Sequence, residues 1–210
     1  MLLVPSIYKV VGNRGCNSYI IETNAGLVVI DVGFLGSEVG IRRYIETQLH
    51  ASLDDVIYVV VTHAHRDVAE GAPDLLLYCS NAQLVVDKRD LSILKKITYI
   101  GEDIDIKEIE GDTYLSDADL RIISTPGHTP GSISILYGPS LFVGGAIYVS
   151  PEGISLPRQN YDKKMLVKSL RKLVELKFDS VFPSHGRYIR RGALQKLRDF
   201  MQRLGMSGEI

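Results

Sequence analysis

Five histidines occur in the 210 residues, and four of them stand where short apolar runs give out: His63 with His65, then His128, then His185. Residues 56–61 read Val-Ile-Tyr-Val-Val-Val and pass directly into Thr62-His63-Ala64-His65-Arg66-Asp67. Residues two apart in an extended chain project to the same side. His63 and His65 can therefore address one ion together if the chain stays extended beyond the strand. Three neutral imidazoles plus one water make the open tetrahedral site that zinc hydrolases use, and such an ion lowers the pKa of its water to about 7. Zn2+ is the expected ion, while Cu2+, Ni2+ and Fe2+ are competitors because imidazole suits all of them. The bland alternative for a lone histidine after a strand is a structural hydrogen bond. His128 by itself would fit that alternative, but a His-x-His-x-Asp run closing an apolar strand is far more specific. His50, in a polar helix end, is given no role.

These residues need strands to position them, and the sequence supplies candidates. Residues 7–11, 18–23 and 27–32 are short β-rich runs punctuated by the turn-like Gly12-Asn13-Arg14-Gly15 and Thr23-Asn24-Ala25-Gly26. Leu27-Val28-Val29-Ile30 is apolar throughout, as a strand covered on both faces should be. Further strands are predicted at 56–61, 84–86, 104–109, 120–124, 132–137, 141–143 and 180–182. Helices are predicted at 37–48, near 74–79 and near 91–96. Two amphipathic helices are expected at 161–176, with a stripe of Leu166, Leu170, Leu173 and Val174, and at 193–204, with Leu194, Leu197, Met201 and Leu204. Two prolines and two glycines in residues 125–131 force an irregular loop around His128.

Taken together, five segments resemble the metallo-β-lactamase fold superfamily of metallohydrolases. They are Ile30-Asp31-Val32-Gly33, the run from Thr62 through His63, His65 and Asp67, Thr125-Pro126-Gly127-His128-Thr129-Pro130-Gly131-Ser132, Phe142-Val143-Gly144-Gly145 and Pro183-Ser184-His185-Gly186. The resemblance implies an αββα sandwich, two back-to-back β-sheets flanked by helices, in one domain over residues 1–210 with the active site along a sheet edge. It also implies that His63, His65 and His128 hold a first metal, and that Asp31 supports them from behind. In the family pattern a second metal is held by the equivalents of Asp67 and His185, by a histidine where this chain has Val68, and by a bridging aspartate where it has Gly145. Valine offers no lone pair and glycine no side chain, so one tightly bound metal is expected. The residues on either side, Arg66-Asp67 and Ala69-Glu70-Gly71, still follow the family. Two selective losses fit a specialised one-metal protein or deliberate replacement of two ligands.

On this reading the chain is a mononuclear hydrolase acting on an ester, thioester or lactam-type carbonyl of a small-molecule substrate through metal-bound hydroxide, with weakened activity. Asp67, one extended step beyond His65, is the candidate for orienting the water or accepting its proton, and His185 for donating to the tetrahedral intermediate or leaving group. The structural alternatives are a helix N-cap for Asp67 and a loop hydrogen bond for His185. Arg158, Arg187 and Tyr188 are candidates for contacting an anionic group. A second reading is a non-catalytic or degenerate metal-binding member of the family. A third, nucleic-acid processing, rests on Lys163, Lys164, Lys168, Arg171 and Lys172 along one helix and on Arg187, Arg190 and Arg191. A basic helix face is ordinarily solvated surface, and 24 basic against 25 acidic residues leave no basic excess. No apolar run approaches the ~20 residues that span a bilayer, so no membrane partner is expected. The first residues lack the basic start and long apolar stretch of a secretion signal, and a cytoplasmic location is expected. Two cysteines build no disulfide framework. The oligomeric state is not written in the sequence.

Overall fold

Strands that are apolar on both sides need cover on both sides, and two stacked sheets with helices outside provide it. The computed structural model describes residues 1–157 and 161–205. The first sheet follows chain order: β1 Leu2–Val4, β2 Ile7–Lys9, β3 Tyr19–Glu22, β4 Leu27–Ile30, β5 Val56–Val60, β6 Gln83–Asp87 and β7 Ile106–Ile109. Its first four strands pair antiparallel, and β4 to β7 pair parallel across helical connections. The second sheet contains β8 Thr113–Leu115, β9 Leu120–Ser124, β10 Ile133–Tyr137 and β11 Ser140–Gly144. A small hairpin follows, β12 Tyr148–Ser150 with β13 Gly153–Ser155, before β14 Ser180–Pro183 completes the second sheet alongside β11.

Helices α1 Glu38–Tyr44, α2 Arg66–Ala69, α3 Ala72–Leu76 and α4 Lys88–Ile97 interleave with the first sheet; α5 Lys163–Val174 and α6 Ala193–Arg203 belong to the second half. Strand alternation sorts the apolar residues into three layers. In β4 and β5, Val28, Ile30, Tyr58 and Val60 face the second sheet, where they meet Ile122, Ile135, Phe142 and Phe182. Val29, Val59 and Val61 point the other way, against Ile41, Leu75, Leu91 and Leu94. Behind the second sheet, Leu141, Val143 and Val181 pack on Leu166, Leu170, Leu173, Leu197 and Met201. The stripes expected on the last two helices are therefore the faces that close this layer. Between the sheets Tyr19, Phe142 and Phe182 form a trio with ring centroids 5.1–5.6 Å apart. Fully burying side chains of this size is worth about 1.5–3 kcal/mol each.

The elements missing from the sequence reading are the shortest. β1, β8, β12 and β13 have three residues each, too few to show a period. The helix expected over 37–48 is α-helical only to Tyr44 and continues as a π-helical turn, Ile45–Leu49, which His50 ends in a left-handed conformation at φ 54°. His50 thus has a backbone role where none was expected. Among the described residues no helix is long and apolar enough to cross a membrane.

Candidate metal centre

β4, β5, β9, β11 and β14 all run toward one end of the sandwich, and the segments that leave them carry Asp31, Thr62 to Asp67, Thr125 to Ser132, Gly145 and Ser184-His185. There the three imidazoles of His63, His65 and His128 converge. Their ring centroids lie 4.5–5.0 Å apart at interplanar angles of 71–83°, and one nitrogen from each lies within 4.8 Å of the others. The rings meet by a different route from the one expected. The chain does not stay extended after β5 but bends at Thr62-His63 and enters α2 at Arg66. His63 Nε2 and His128 Nδ1 are buried without a hydrogen-bond partner. Leaving a buried nitrogen unsatisfied costs about 1–3 kcal/mol, and a cation among the three rings offers lone pairs of this kind a partner. The donor set therefore fits one divalent ion.

Buried carboxylates hold the ligand segments in place. Asp31, in a left-handed conformation at φ 57°, accepts from Thr62 N and Thr62 Oγ1, both at 2.8 Å, and from Ser184 Oγ at 2.6 Å. Thr62 Oγ1 lies 2.9 Å from His63 Nδ1. With the Thr62 hydroxyl proton committed to the carboxylate, its oxygen accepts from Nδ1–H, which leaves the Nε2 lone pair for the centre. Asp90, the third residue of α4, ties the same His63–His65 segment to the loop that carries His128. Its carboxylate accepts from Ala64 N at 2.9 Å, Thr129 Oγ1 at 2.5 Å and Gly131 N at 2.6 Å. On the far side, the loop before His128 is pressed onto α5. Gly127, at φ 134°, sits so close that a Cβ would stand 2.5 Å from Leu166 N, and Asp162 N donates to Gly127 O at 2.7 Å.

Asp67 and His185 form a half-exposed pair beside this cluster, with His185 Nε2 3.4 Å from Asp67 Oδ2. Asp67 is not an extended step beyond His65. It lies in the first turn of α2, and the N-cap position belongs to His65, so the capping alternative does not describe Asp67 either. No third His, Cys, Asp or Glu joins the pair in a cluster of metal-binding geometry among the described residues. Val68 is fully buried, and Gly145 lies against His128. Tyr188 packs its ring on Phe182 at 6.2 Å with the Arg190 guanidinium 5.4 Å from its centroid, and Arg187 is exposed. Arg158 lies outside the described residues.

Burial sets the protonation of the cluster. It drives His63 far below the ordinary imidazole range and His128 down to about 4, helped in both by the neighbouring rings. Burial lowers His185 too, partly offset by Asp67. Asp31 is pushed up to about 7 by burial, against the pull of its Ser184 and Thr62 hydrogen bonds. At neutral pH, His63 and His128 are therefore neutral, which is the state that binds metal.

The sequence pattern of the metallo-beta-lactamase superfamily matches residues 11–185. The chain belongs to that superfamily. Members similar to it include a beta-lactamase-like protein 2 homolog of Caenorhabditis elegans, 25% identical over 90% of this chain and 61% of the relative. An N-acyl homoserine lactonase from a Bacillus species is 24% identical over 75% of this chain and 74% of its own length. The chain thus spans only about three fifths of the nematode protein. Among solved structures, an archaeal metallo-beta-lactamase superfamily protein from Sulfolobus tokodaii superposes with a TM-score of 0.72 at 23% identity, covering 99% of this chain and 89% of that one. At that identity the likeness speaks to the fold, and it agrees with the two-sheet sandwich.

Of the groups that hold this superfamily site together, Thr62 and Ser184 adjoin residues already singled out, whereas Asp90 carried no signal. An aspartate in the first turn of an amphipathic helix looks like ordinary helix-dipole complementarity. Replacing Asp90 by Ala strands three donors at once, so Asp90→Ala should weaken metal binding by about tenfold or more, with Asp90→Asn intermediate. Chelator competition would measure this, and unchanged affinity in both variants would remove the clamp from the account.

The shifts also fix a pH dependence for the metal-free protein. Between about pH 4 and 6.5 the unfolded chain protonates His63 and His128 while the fold keeps them neutral, so the unfolded state holds up to two more protons from this source. Over about the same range Asp31 stays protonated in the fold and ionises in the unfolded chain, which returns one. The balance favours the unfolded state in acid, and His185 adds to it. Stability should therefore rise with pH from about 4.5 to 6.5 by on the order of 1 kcal/mol per pH unit. Denaturant unfolding of chelator-treated protein at pH 5, 6 and 7 reads the slope; flat or falling stability would contradict these protonation states.

Proposed function

We infer that this superfamily hydrolase works with one divalent ion, held by His63, His65 and His128, on an ester, thioester or lactam-type carbonyl of a small molecule. The single observation that carries the reading is the convergence of three imidazoles, with buried nitrogens on His63 and His128 that no other group satisfies. Zn2+ suits three neutral imidazoles with an open fourth position, with Cu2+, Ni2+ and Fe2+ as competitors. When bound, such an ion polarises a carbonyl and brings the pKa of a water near 7.

The rest of the chemistry falls to the chain. Thr62 and Asp31 keep the His63 lone pair aimed at the centre. Asp67, a half-exposed carboxylate at the rim, orients the attacking water and accepts its proton. His185 is neutral at pH 7 and supplies an N–H to the developing oxyanion or the leaving group. The lactonase activity named for the Bacillus relative falls within the same carbonyl class.

A non-catalytic metal protein is the second reading, favoured by the fact that no third His, Cys, Asp or Glu among the described residues joins Asp67 and His185 in metal-binding geometry. Nucleic-acid processing has less support, because Lys172 on the basic face of α5 is already tied to Asp112 and to Ser124 O. Metal analysis combined with a panel of esters, thioesters and lactones tests the reading. One equivalent of metal is expected, with turnover that falls more than about a hundredfold in His63→Ala and His128→Ala. One bound metal without turnover on any substrate would select the non-catalytic reading.

A further inference from the structure

Asp67 and His185 reach the rim of the centre from different sheets. Asp67 stands in α2, which follows β5 of the first sheet, and His185 follows β14, an edge strand of the second. Their approach to 3.4 Å is spanned by a third segment that touches both, the connection between β2 and β3. That connection is fastened to the loop after β4. Arg14 O accepts from Phe34 N and from Ser37 Oγ, each at 3.1 Å, and Asn13 Nδ2 donates to Val32 O at 2.8 Å. Gly15, at φ 96°, then packs so closely on Asp67 that a Cβ would overlap its carbonyl oxygen.

Two residues further on, Asn17 reaches the other partner. Its backbone N–H donates to Ser184 O at 2.7 Å, and its Nδ2 donates to Pro183 O and Gly186 O, both at 3.0 Å. These three carbonyls belong to the residues on either side of His185. A carboxamide nitrogen has two protons, and both are directed at this one loop. On its far side the loop meets β12. Gly186, at φ 84°, leaves no room for a Cβ against Val149 O, and Arg187 N donates to the same oxygen at 2.7 Å. The backbone around His185 is thus held between Asn17 and Val149, while its imidazole stands half-exposed beside Asp67.

We propose that Asn17 is the positioning residue for His185, and that Gly15 to Asn17 form a strut that sets the spacing of the Asp67–His185 pair across the two sheets. The assignment rests on the hydrolase reading given above, in which Asp67 orients the water and His185 supplies an N–H to the developing charge. A misplacement of about 1 Å in such a group lowers turnover on the order of a hundredfold. Asn17 acts through the backbone of residues 183–186 and not on the reacting atoms. An aspartate of the same shape would turn an acceptor toward carbonyl oxygens and could not take its place.

The test is steady-state kinetics on the full chain loaded with Zn2+, using the ester, thioester or lactone of the panel that turns over fastest. Asn17→Ala and Asn17→Asp should each lower kcat by about tenfold or more while KM stays within about twofold. Zn2+ affinity, read by chelator competition, should keep its wild-type value. In a His185→Ala background neither substitution should lower kcat further, because the group it displaces is gone. A purely structural role would lower kcat equally in both backgrounds and weaken Zn2+ binding as well, and either result overturns the proposal. So does a wild-type kcat in both Asn17 variants.

Imidazole NMR of the metal-free protein reads the same clamp without substrate or ion. There Asn17→Ala should displace the His185 ring resonances and leave those of His128 in place, and unmoved His185 resonances overturn the assignment. If the wild-type chain loaded with Zn2+ turns over nothing on the panel, the hydrolase reading fails, while this comparison still decides whether Asn17 positions His185.

Discussion

Three imidazoles with centroids no more than 5.0 Å apart face a constraint that shapes everything around them. Protonated, they repel one another at close range in a medium that screens charge poorly. Neutral, His63 and His128 keep buried nitrogens that no hydrogen-bond partner satisfies. Neither state is comfortable without a cation, so the cluster does not hold itself together and must be held. The holding groups come from every part of the chain: Asp31 after β4, Asp90 in α4, Ser184 after β14 and the α5 backbone under Gly127. Each fixes a ligand-bearing loop to an element whose other face is in a hydrophobic layer.

This arrangement explains why buried carboxylates, not surface ones, do the positioning. Asp31 spans the two sheets, binding Thr62 from the first and Ser184 from the second. Tyr19 Oη donates to Pro183 O at 2.7 Å, and Asn17 Nδ2 to Pro183 O and Gly186 O at 3.0 Å, so the same junction is tied from the β2–β3 connection and from β3. A loop held by that many directional contacts presents its imidazole in one orientation, as pre-organised metal ligation requires.

The layered fold was legible because its long strands carry two-sided apolar runs, and Leu27 to Ile30 or residues 56–61 admit few other placements. The convergence of His63, His65 and His128 was legible because histidine is rare and these histidines end strands. The supports were not equally visible. Asp90 is one acidic residue among 25 Asp and Glu, and its value comes from three donors that belong to residues 64, 129 and 131, brought to it only by tertiary structure. The bend at Thr62-His63 was hidden for a similar reason. Extended alternation and the α2 turn both put His63 and His65 near one another, so the pattern of residues could not choose between them, whereas the backbone hydrogen bonds of Val68 and Ala69 to His65 O do.

The segments around Val68 and Gly145 make backbone contacts that also serve the three-histidine cluster. The Val68 carbonyl accepts from Val32 N and Gly33 N at 3.0 and 2.9 Å, tying α2 to the turn after Asp31. The Gly144 carbonyl accepts from Ser184 N at 3.0 Å, fixing the segment whose hydroxyl reaches Asp31. Both contacts are made by backbone atoms. Valine at 68 and glycine at 145 are therefore compatible with the frame around His63. Asp67 lies within that frame as well, because Gly15 packs so tightly on its carbonyl that a Cβ would overlap the oxygen. The backbone of these segments thus supports the three-histidine cluster beside them.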